Sequence, residues 1–146
     1  MFLSQFQHSL DDKGRVILPA KWRSALEGGA FVTEYPSGCL AVFTPDEFAI
    51  VADRVRARAA RGVNERFVAT SFFSGATDVS PDKQGRIALP QNLRDFASLH
   101  GDVMLVGQYD HAEIWNPETF ATKKGVGTKV LHSDEGIEIF NMFTGS

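Results

Sequence analysis

Cysteine is almost missing from this chain of 146 residues, where Cys39 stands alone. A single thiol closes no intrachain disulfide. With no Cys or His partner at ligand spacing it also forms no zinc motif, so Cys39 reads as a half-buried residue at a strand end. Nowhere do about 18 apolar residues run together, which leaves no candidate transmembrane helix. The opening Met1-Phe2-Leu3-Ser4-Gln5 lacks both the basic lead and the apolar stretch of a signal peptide. A cytoplasmic protein without a membrane partner is expected. Positive charge is in short supply too, with 15 Lys and Arg against 18 Asp and Glu. That balance argues against a uniformly basic nucleic-acid binder and obliges any such activity to gather its basic residues on one face. His8, His100, His111 and His132 are scattered, with no carboxylate or Cys partner at motif spacing, and read as surface or loop residues. No catalytic constellation, metal-ligand set or cofactor motif is present, and the chain reads as a non-enzyme.

What the chain does contain is a repeat. Asp11-Asp12-Lys13-Gly14-Arg15-Val16-Ile17-Leu18-Pro19 returns as Asp82-Lys83-Gln84-Gly85-Arg86-Ile87-Ala88-Leu89-Pro90, both of the form D-x-x-G-R-x-x-L-P, and Arg23 and Arg94 keep the same offset. In each copy an apolar, half-buried strand leads into turn residues. Gly14 and Gly85 supply the positive φ that a tight hairpin commonly needs, and Asp11 and Asp82 can accept hydrogen bonds from turn amides. Arg15 and Arg86 then open the return strands, and Pro19 and Pro90 precede short helices.

The rest of each unit follows the same plan. After the helix Ala20 to Leu26, closed by Gly28-Gly29, come strands Phe31 to Glu34 and Leu40 to Phe43, completing a ββαββ unit. Strand Ala76 to Val79, strand Arg86 to Leu89, helix Gln91 to Ala97 and strands Val103 to Gly107 and Ala112 to Trp115 make the second. Thr44-Pro45 and Asn116-Pro117 match as cap plus first-turn proline, now one residue further apart, which places one extra residue near Leu99-His100. Between the units, Thr44 and Glu47 form a capping box for an amphipathic helix to about Ala60. Asn64 can cap a second helix, Glu65 to Phe73, with Phe67, Phe72 and Phe73 inward. Arg54, Arg56, Arg58, Arg61 and Arg66 read as a solvated face, with phosphate or an acidic neighbouring subunit as alternative partners. Trp22, Phe43 and Trp115 read as core or subunit-interface aromatics. Lys124 to Lys129 is expected to be a Gly-interrupted linker, and Ser133-Asp134-Glu135 to cap a short helix bearing Ile137, Phe140 and Phe143.

Two copies are too few for a solenoid. They can instead pair about a pseudo-two-fold axis, giving an α+β fold with a small β-barrel-like core and flanking helices. The organisation expected is residues 1–62 as the first repeat with its following helix, 63–75 as a connecting helix, 76–124 as the second repeat and 125–146 as a C-terminal tail. Both turns then project charged side chains from a rigid framework. Lys13, Arg15, Lys83 and Arg86 suit phosphate and guanine recognition, with Lys21, Arg23 and Arg94 nearby. From the residues alone, the same turns read first as hairpin connectors closed by an internal charge pair.

The two Asp-x-x-x-Arg turns, the Leu-Pro after each, the opening Met1-Phe2 and the stretch Met104-Leu-Val-Gly-Gln-Tyr-Asp-His-Ala-Glu-Ile-Trp115-Asn-Pro resemble the MraZ family over residues 1 to about 122. That family is similar to the AbrB-like looped-hinge transcription factors, with both copies of the fold in one chain. The resemblance implies a nucleoid-associated, DNA-binding transcriptional regulator. It would recognise short direct repeats in the promoter of the division and cell wall gene cluster that holds its own gene, and assemble as a ring-forming homo-oligomer. It maps the DNA-binding motif onto Asp11 and Arg15, and again onto Asp82 and Arg86, with Lys13 as a second contact and Gly14 and Gly85 shaping the turns. Ser4 departs from the family, which usually has Gly there, and the tail after Gly125 matches no family pattern. An AbrB-like antitoxin with a toxin partner is the alternative, weakened by the second folded unit that takes the place of a disordered arm.

Overall fold

The computed structural model describes residues 1–145, which divide into one unit of Met1–Asn116 and a second that begins at Pro117. The first contains β1 (Gln5–Ser9), β2 (Arg15–Ile17), α1 (Ala20–Leu26), β3 (Ala30–Tyr35) and β4 (Cys39–Phe43). Then come α2 (Pro45–Ala59) and α3 (Val63–Ser74). The pattern repeats as β5 (Thr77–Val79), β6 (Arg86–Ala88), α4 (Gln91–Phe96), β7 (Asp102–Gly107) and β8 (Ala112–Trp115). The two ββαββ units are therefore present as expected.

Six strands form one antiparallel sheet in the order β1-β7-β8-β4-β3-β5, while β2 and β6 pair separately as a two-stranded ribbon. Both orders read the same when the halves are exchanged, so a pseudo-two-fold axis passes between β4 and β8 and between β2 and β6. The Ala41–Glu113 pair lies at that axis. Each half supplies what the other needs: β1 pairs with β7 and β5 with β3, so neither half completes a sheet by itself.

Packing follows the same symmetry. Val16 and Ile87, Leu18 and Leu89, Trp22 and Leu93, and Val32 and Leu105 meet in one buried core between the ribbon, the two short helices and one face of the sheet. Buried apolar surface of this kind is the main source of stability. Ala41, Phe43 and Phe72 form a second cluster with Phe48, Val51 and Val55, where α2 and α3 cover the other face. Thr44 caps α2 as expected, its hydroxyl accepting the Glu47 amide at 3.2 Å ahead of Pro45.

Four local expectations are corrected. The shift between halves is not one inserted residue: Phe31 faces Phe43 while Met104 faces Trp115, so the offset is 73 at β7 (104 − 31) and 72 at β8 (115 − 43). Two residues are added before β7 and one is lost in the β7–β8 hairpin. Helix α3 starts at Val63 behind Gly62 and has no side-chain cap, so Asn64 is not its N-cap. Phe67 does not pack inward with Phe72: it is 66% exposed. Five residues of helix turn a side chain through about 140°, which puts the two rings on different faces. Finally, residues 124–129 are not a linker, because α5 (Pro117–Leu131) runs on through Gly125 and Gly127. Each glycine costs about 1 kcal/mol in a helix, but packing can override that. Beyond it, α6 (Asp134–Thr144) begins with Gly136 buried against the backbone of Val130 and Leu131 at the end of α5. Ser133 caps α6 as expected, accepting the Gly136 amide at 3.1 Å. Among the described residues no helix is long and apolar enough to cross a membrane.

Ser4, where the resembled family has Gly, adopts φ 72, a left-handed conformation that L side chains disfavour. It sits between the Phe2–Tyr109 bridge and β1, and its carbonyl accepts the Gly107 amide at 2.8 Å.

Candidate nucleic-acid interface

The two turns have the same internal wiring. Oδ1 of Asp11 accepts the amides of Lys13 (3.0 Å) and Arg15 (2.8 Å), and its Oδ2 accepts Nε of Arg15 at 2.7 Å. Asp82 does the same with the amides of Gln84 and Arg86 (both 2.9 Å) and with Nε of Arg86 at 2.8 Å. In each case the amide of the Arg, helped by its side chain and by the amide two residues after the Asp, holds the carboxyl below its usual value against some desolvation. Both carboxylates therefore stay charged well below neutral pH. The Arg side chains are oriented through Nε, and among the described residues their Nη groups make no hydrogen bond within the protein.

The halves interlock at these turns. Gly14 and Gly85 have φ 75 and 79. A Cβ on Gly14 would come within 2.6 Å of the Arg94 guanidinium, and one on Gly85 within 2.6 Å of Arg23 Nε. Each glycine thus serves twice, for its left-handed backbone and for the cation lying across it. Arg23 and Arg94 are pinned in turn by donating Nε to the carbonyls of Leu18 (3.1 Å) and Leu89 (2.9 Å). Arg23 and Arg94 therefore brace the opposite turn, a role their position in the sequence did not reveal.

Between the turns, β2 and β6 pair Arg15 with Ala88, Val16 with Ile87 and Ile17 with Arg86. Leu18 N to Gly85 O (2.9 Å) and Leu89 N to Gly14 O (3.0 Å) extend the ladder to both ends. Val16 and Ile87 point into the core. By strand alternation Arg15, Ile17, Arg86 and Ala88 all occupy the outer face, so one small ribbon gathers both arginines despite the acidic whole.

Lys13 and Lys83, in contrast, are not equivalent. Lys13 holds the place of Gln84, and Lys83 that of Asp12. Both lie exposed on their turns. Arg86 Nη1 also reaches Asp11 Oδ2 at 3.9 Å, with no counterpart from Arg15 to Asp82 among the described residues. The α2–α3 arginines belong to other elements and do not extend the ribbon face.

One histidine is not an ordinary loop residue. His111 lies between Asp110 (Nδ1, 2.7 Å) and the buried Glu113 (Nε2, 3.0 Å), with its ring stacked on Phe43. Glu113 also accepts from Trp115 Nε1 at 2.9 Å and from Gln108 Nε2 at 3.1 Å. Burial disfavours charge on both groups, but the carboxylates raise the His111 pKa and the three donors lower that of Glu113. The alternation His111-x-Glu113-x-Trp115 on one strand face was the available signal. Among the described residues no group of three or more ligand-type side chains could hold a metal. This network stabilises the β7–β8 hairpin beside the axis.

The family model for the MraZ protein, described as antitoxin-like, matches residues 1–68 and 72–123. "Transcriptional regulator MraZ" from Salinispora arenicola is 44% identical over 116 residues, covering 80% of this chain and 82% of that protein. The protein of the same name from Natranaerobius thermophilus is 41% identical over 118 residues (81% and 82%). That from Kocuria rhizophila is 42% identical over 116 residues (80% and 81%).

Proposed function

The chain belongs to the MraZ family, whose curated members are named transcriptional regulators, and from that premise we propose that it is a DNA-binding transcriptional regulator that reads its operator with the β2–β6 ribbon. The observation that carries this reading is the outer face of that ribbon, where Arg15 and Arg86 stand in pseudo-two-fold register. A two-stranded ribbon fits the major groove of B-DNA, and an Arg oriented through Nε keeps its outer nitrogens for guanine or phosphate. Lys13 and Lys83, on the turn tips, fit the flanking phosphates.

The target we infer is a set of short direct repeats in the promoter of the division and cell wall gene cluster that includes the regulator's own gene. Bound there, the protein is nucleoid-associated and represses by occluding the promoter. A ring of copies facing tandem repeats turns each weak contact into an intramolecular one once a neighbour has bound, which raises avidity without enlarging any single site. An antitoxin-type role has less support, because a second folded unit follows the first where a toxin-binding arm would lie. The family carries no enzymatic activity, and nothing in the site calls for a cofactor.

The test is a gel shift on the chain's own promoter with Lys13→Ala/Arg15→Ala. Loss of the specific complex with unchanged folding and assembly supports the site. Unchanged affinity refutes it.

A further inference from the structure

Besides its arginines, the outer face of the β2–β6 ribbon carries Ile17 and Ala88. The pseudo-two-fold axis passes between Val16 and Ile87, so it exchanges Arg15 with Arg86 and Ile17 with Ala88. The arginine positions match and the other two do not. Ile17 is a large apolar side chain left 41% exposed, whereas Ala88 presents a single methyl group. The frame does not require the size of Ile17. Its neighbours Val16 and Leu18 are buried in the core, and the equivalent strand closes the same ladder with Ala88 in its place. An exposed isoleucine is ordinary by itself. What sets this one apart is its position, directly across the ladder from Arg86 and two residues along the strand from Arg15.

We propose that Ile17 contacts the C5-methyl group of an operator thymine at the base step that Arg86 faces, and that this contact makes recognition by the pseudo-symmetric ribbon one-sided. It deepens the ribbon reading of DNA proposed above and rests on it. Among the groups that base pairs present in the major groove, the thymine methyl is the apolar one, and an apolar side chain is its partner. Arginine takes guanine or phosphate instead. The spacing agrees. Alternate residues along a strand lie about 7 Å apart, against about 3.4 Å per base step, so with the strands along the groove Ile17 falls about two steps from Arg15. Opposite residues of a ladder lie about 5 Å apart across the groove, which leaves Ile17 and Arg86 facing the same or the adjacent step. Ala88 holds the equivalent place beside Arg15 but is shorter, so a methyl group there meets a looser contact. The two halves of the operator are therefore read with different stringency.

The experiment takes the duplex that the full chain protects on its own promoter and replaces each thymine in turn by uracil, which differs only in lacking the C5-methyl group. Fluorescence anisotropy at one fixed salt concentration reads the affinity. Removing the contacted methyl should weaken binding about fourfold, the equivalent of one buried methyl-sized group. Ile17→Ala should weaken binding to the thymine duplex at least as much, and should bind the thymine and uracil duplexes equally. Losses that fail to add in this way place Ile17 against that methyl. Losses that add, or a parent protein that binds every uracil duplex like the thymine one, would overturn the proposal. The uracil arm leaves the protein untouched, so it holds even where Ile17→Ala loosens the ribbon. An Ile17 that served only the fold would leave thymine discrimination in place. Failure of the ribbon reading gives a different pattern: Arg15→Ala and Arg86→Ala proteins that bind like the parent would remove the whole ribbon from the interface, and Ile17 with it. Arginine variants that lose affinity beside an indifferent uracil scan would sink the Ile17 contact alone.

Discussion

The turn at Asp11–Arg15 and the turn at Asp82–Arg86 share every internal hydrogen bond, yet their tips differ. The first presents Asp12 and Lys13, the second Lys83 and Gln84. Arg86 also reaches the opposite Asp11, with no counterpart from Arg15 to Asp82 among the described residues. The frame is thus symmetric where it must hold shape, and asymmetric where it meets solvent. A symmetric frame requires Asp, Gly and Arg at fixed positions, because those residues make the turn. The tips make no such demand, so their charges are free to diverge with function.

The largest expected effect tests whether both turns read DNA. Arg15→Ala should lower operator affinity about 10- to 100-fold, the range for losing one bidentate base contact. Arg86→Ala should do the same if the ribbon lies symmetrically in the groove. Fluorescence anisotropy at one fixed salt concentration makes the comparison, and an Arg86→Ala protein that binds like the parent would confine recognition to the first turn.

A second test concerns the pair at the axis, where one half has Ala41 and the other Glu113. Glu113→Ala removes the acceptor shared by Trp115, Gln108 and His111 and should cost about 1–3 kcal/mol in denaturant unfolding. The pH dependence has a definite sign. Because the folded pKa of His111 is raised above 6.5, its contribution is full below that value and is lost as pH rises through the folded pKa. Because that of Glu113 is lowered below 4.5, its contribution is present above 4.5 and is lost as pH falls through the folded pKa. Stability that ignores pH on the alkaline side of 6.5 would remove His111 from this account.

Gly14→Ala and Gly85→Ala should each destabilise by about 1–3 kcal/mol, since both force a side chain into left-handed backbone and displace the arginine above. Near-equal melting shifts would support the interlock of Arg94 and Arg23, and a clear inequality would break it. Ser4→Gly should have the opposite sign, raising stability by up to about 1 kcal/mol by relieving a left-handed Ser. A melting temperature that falls instead would show that the Ser4 side chain is needed where it stands.

The smallest effect sharpens the tips. Lys13→Ala should reduce the slope of log affinity against log salt by about 0.9 if Lys13 neutralises one phosphate. Lys83→Ala should match it only if the second tip also meets the backbone, which a parallel salt titration reads directly.

Much of the fold was legible because it is written twice. The repeated D-x-x-G-R-x-x-L-P turn, the Thr44 cap and the strand alternation are local rules, and local rules act on neighbours in sequence. The helix through Gly125 and Gly127 was not legible, because each glycine lowers helix propensity by about 1 kcal/mol and reads locally as a break. Nor was the exposure of Phe67, which depends on which face of α3 meets the sheet. At the site, Asp11, Gly14 and Arg15 could be assigned from turn chemistry. The bracing by Arg23 and Arg94 could not, since each acts on a glycine more than 60 residues away.

The sequence by itself determined the two turns, because a carboxylate accepting amides two and four residues on and a glycine with positive φ need nothing beyond their own segment. Only the tertiary structure decided that the two turns share one surface. That surface exists because β2 and β6, each three residues long, pair with each other as a two-stranded ribbon separate from the six-stranded sheet. An isolated copy would leave its ribbon edge unpaired and its side of the core open to water, so the pairing that completes the fold is also what brings Arg15 and Arg86 together.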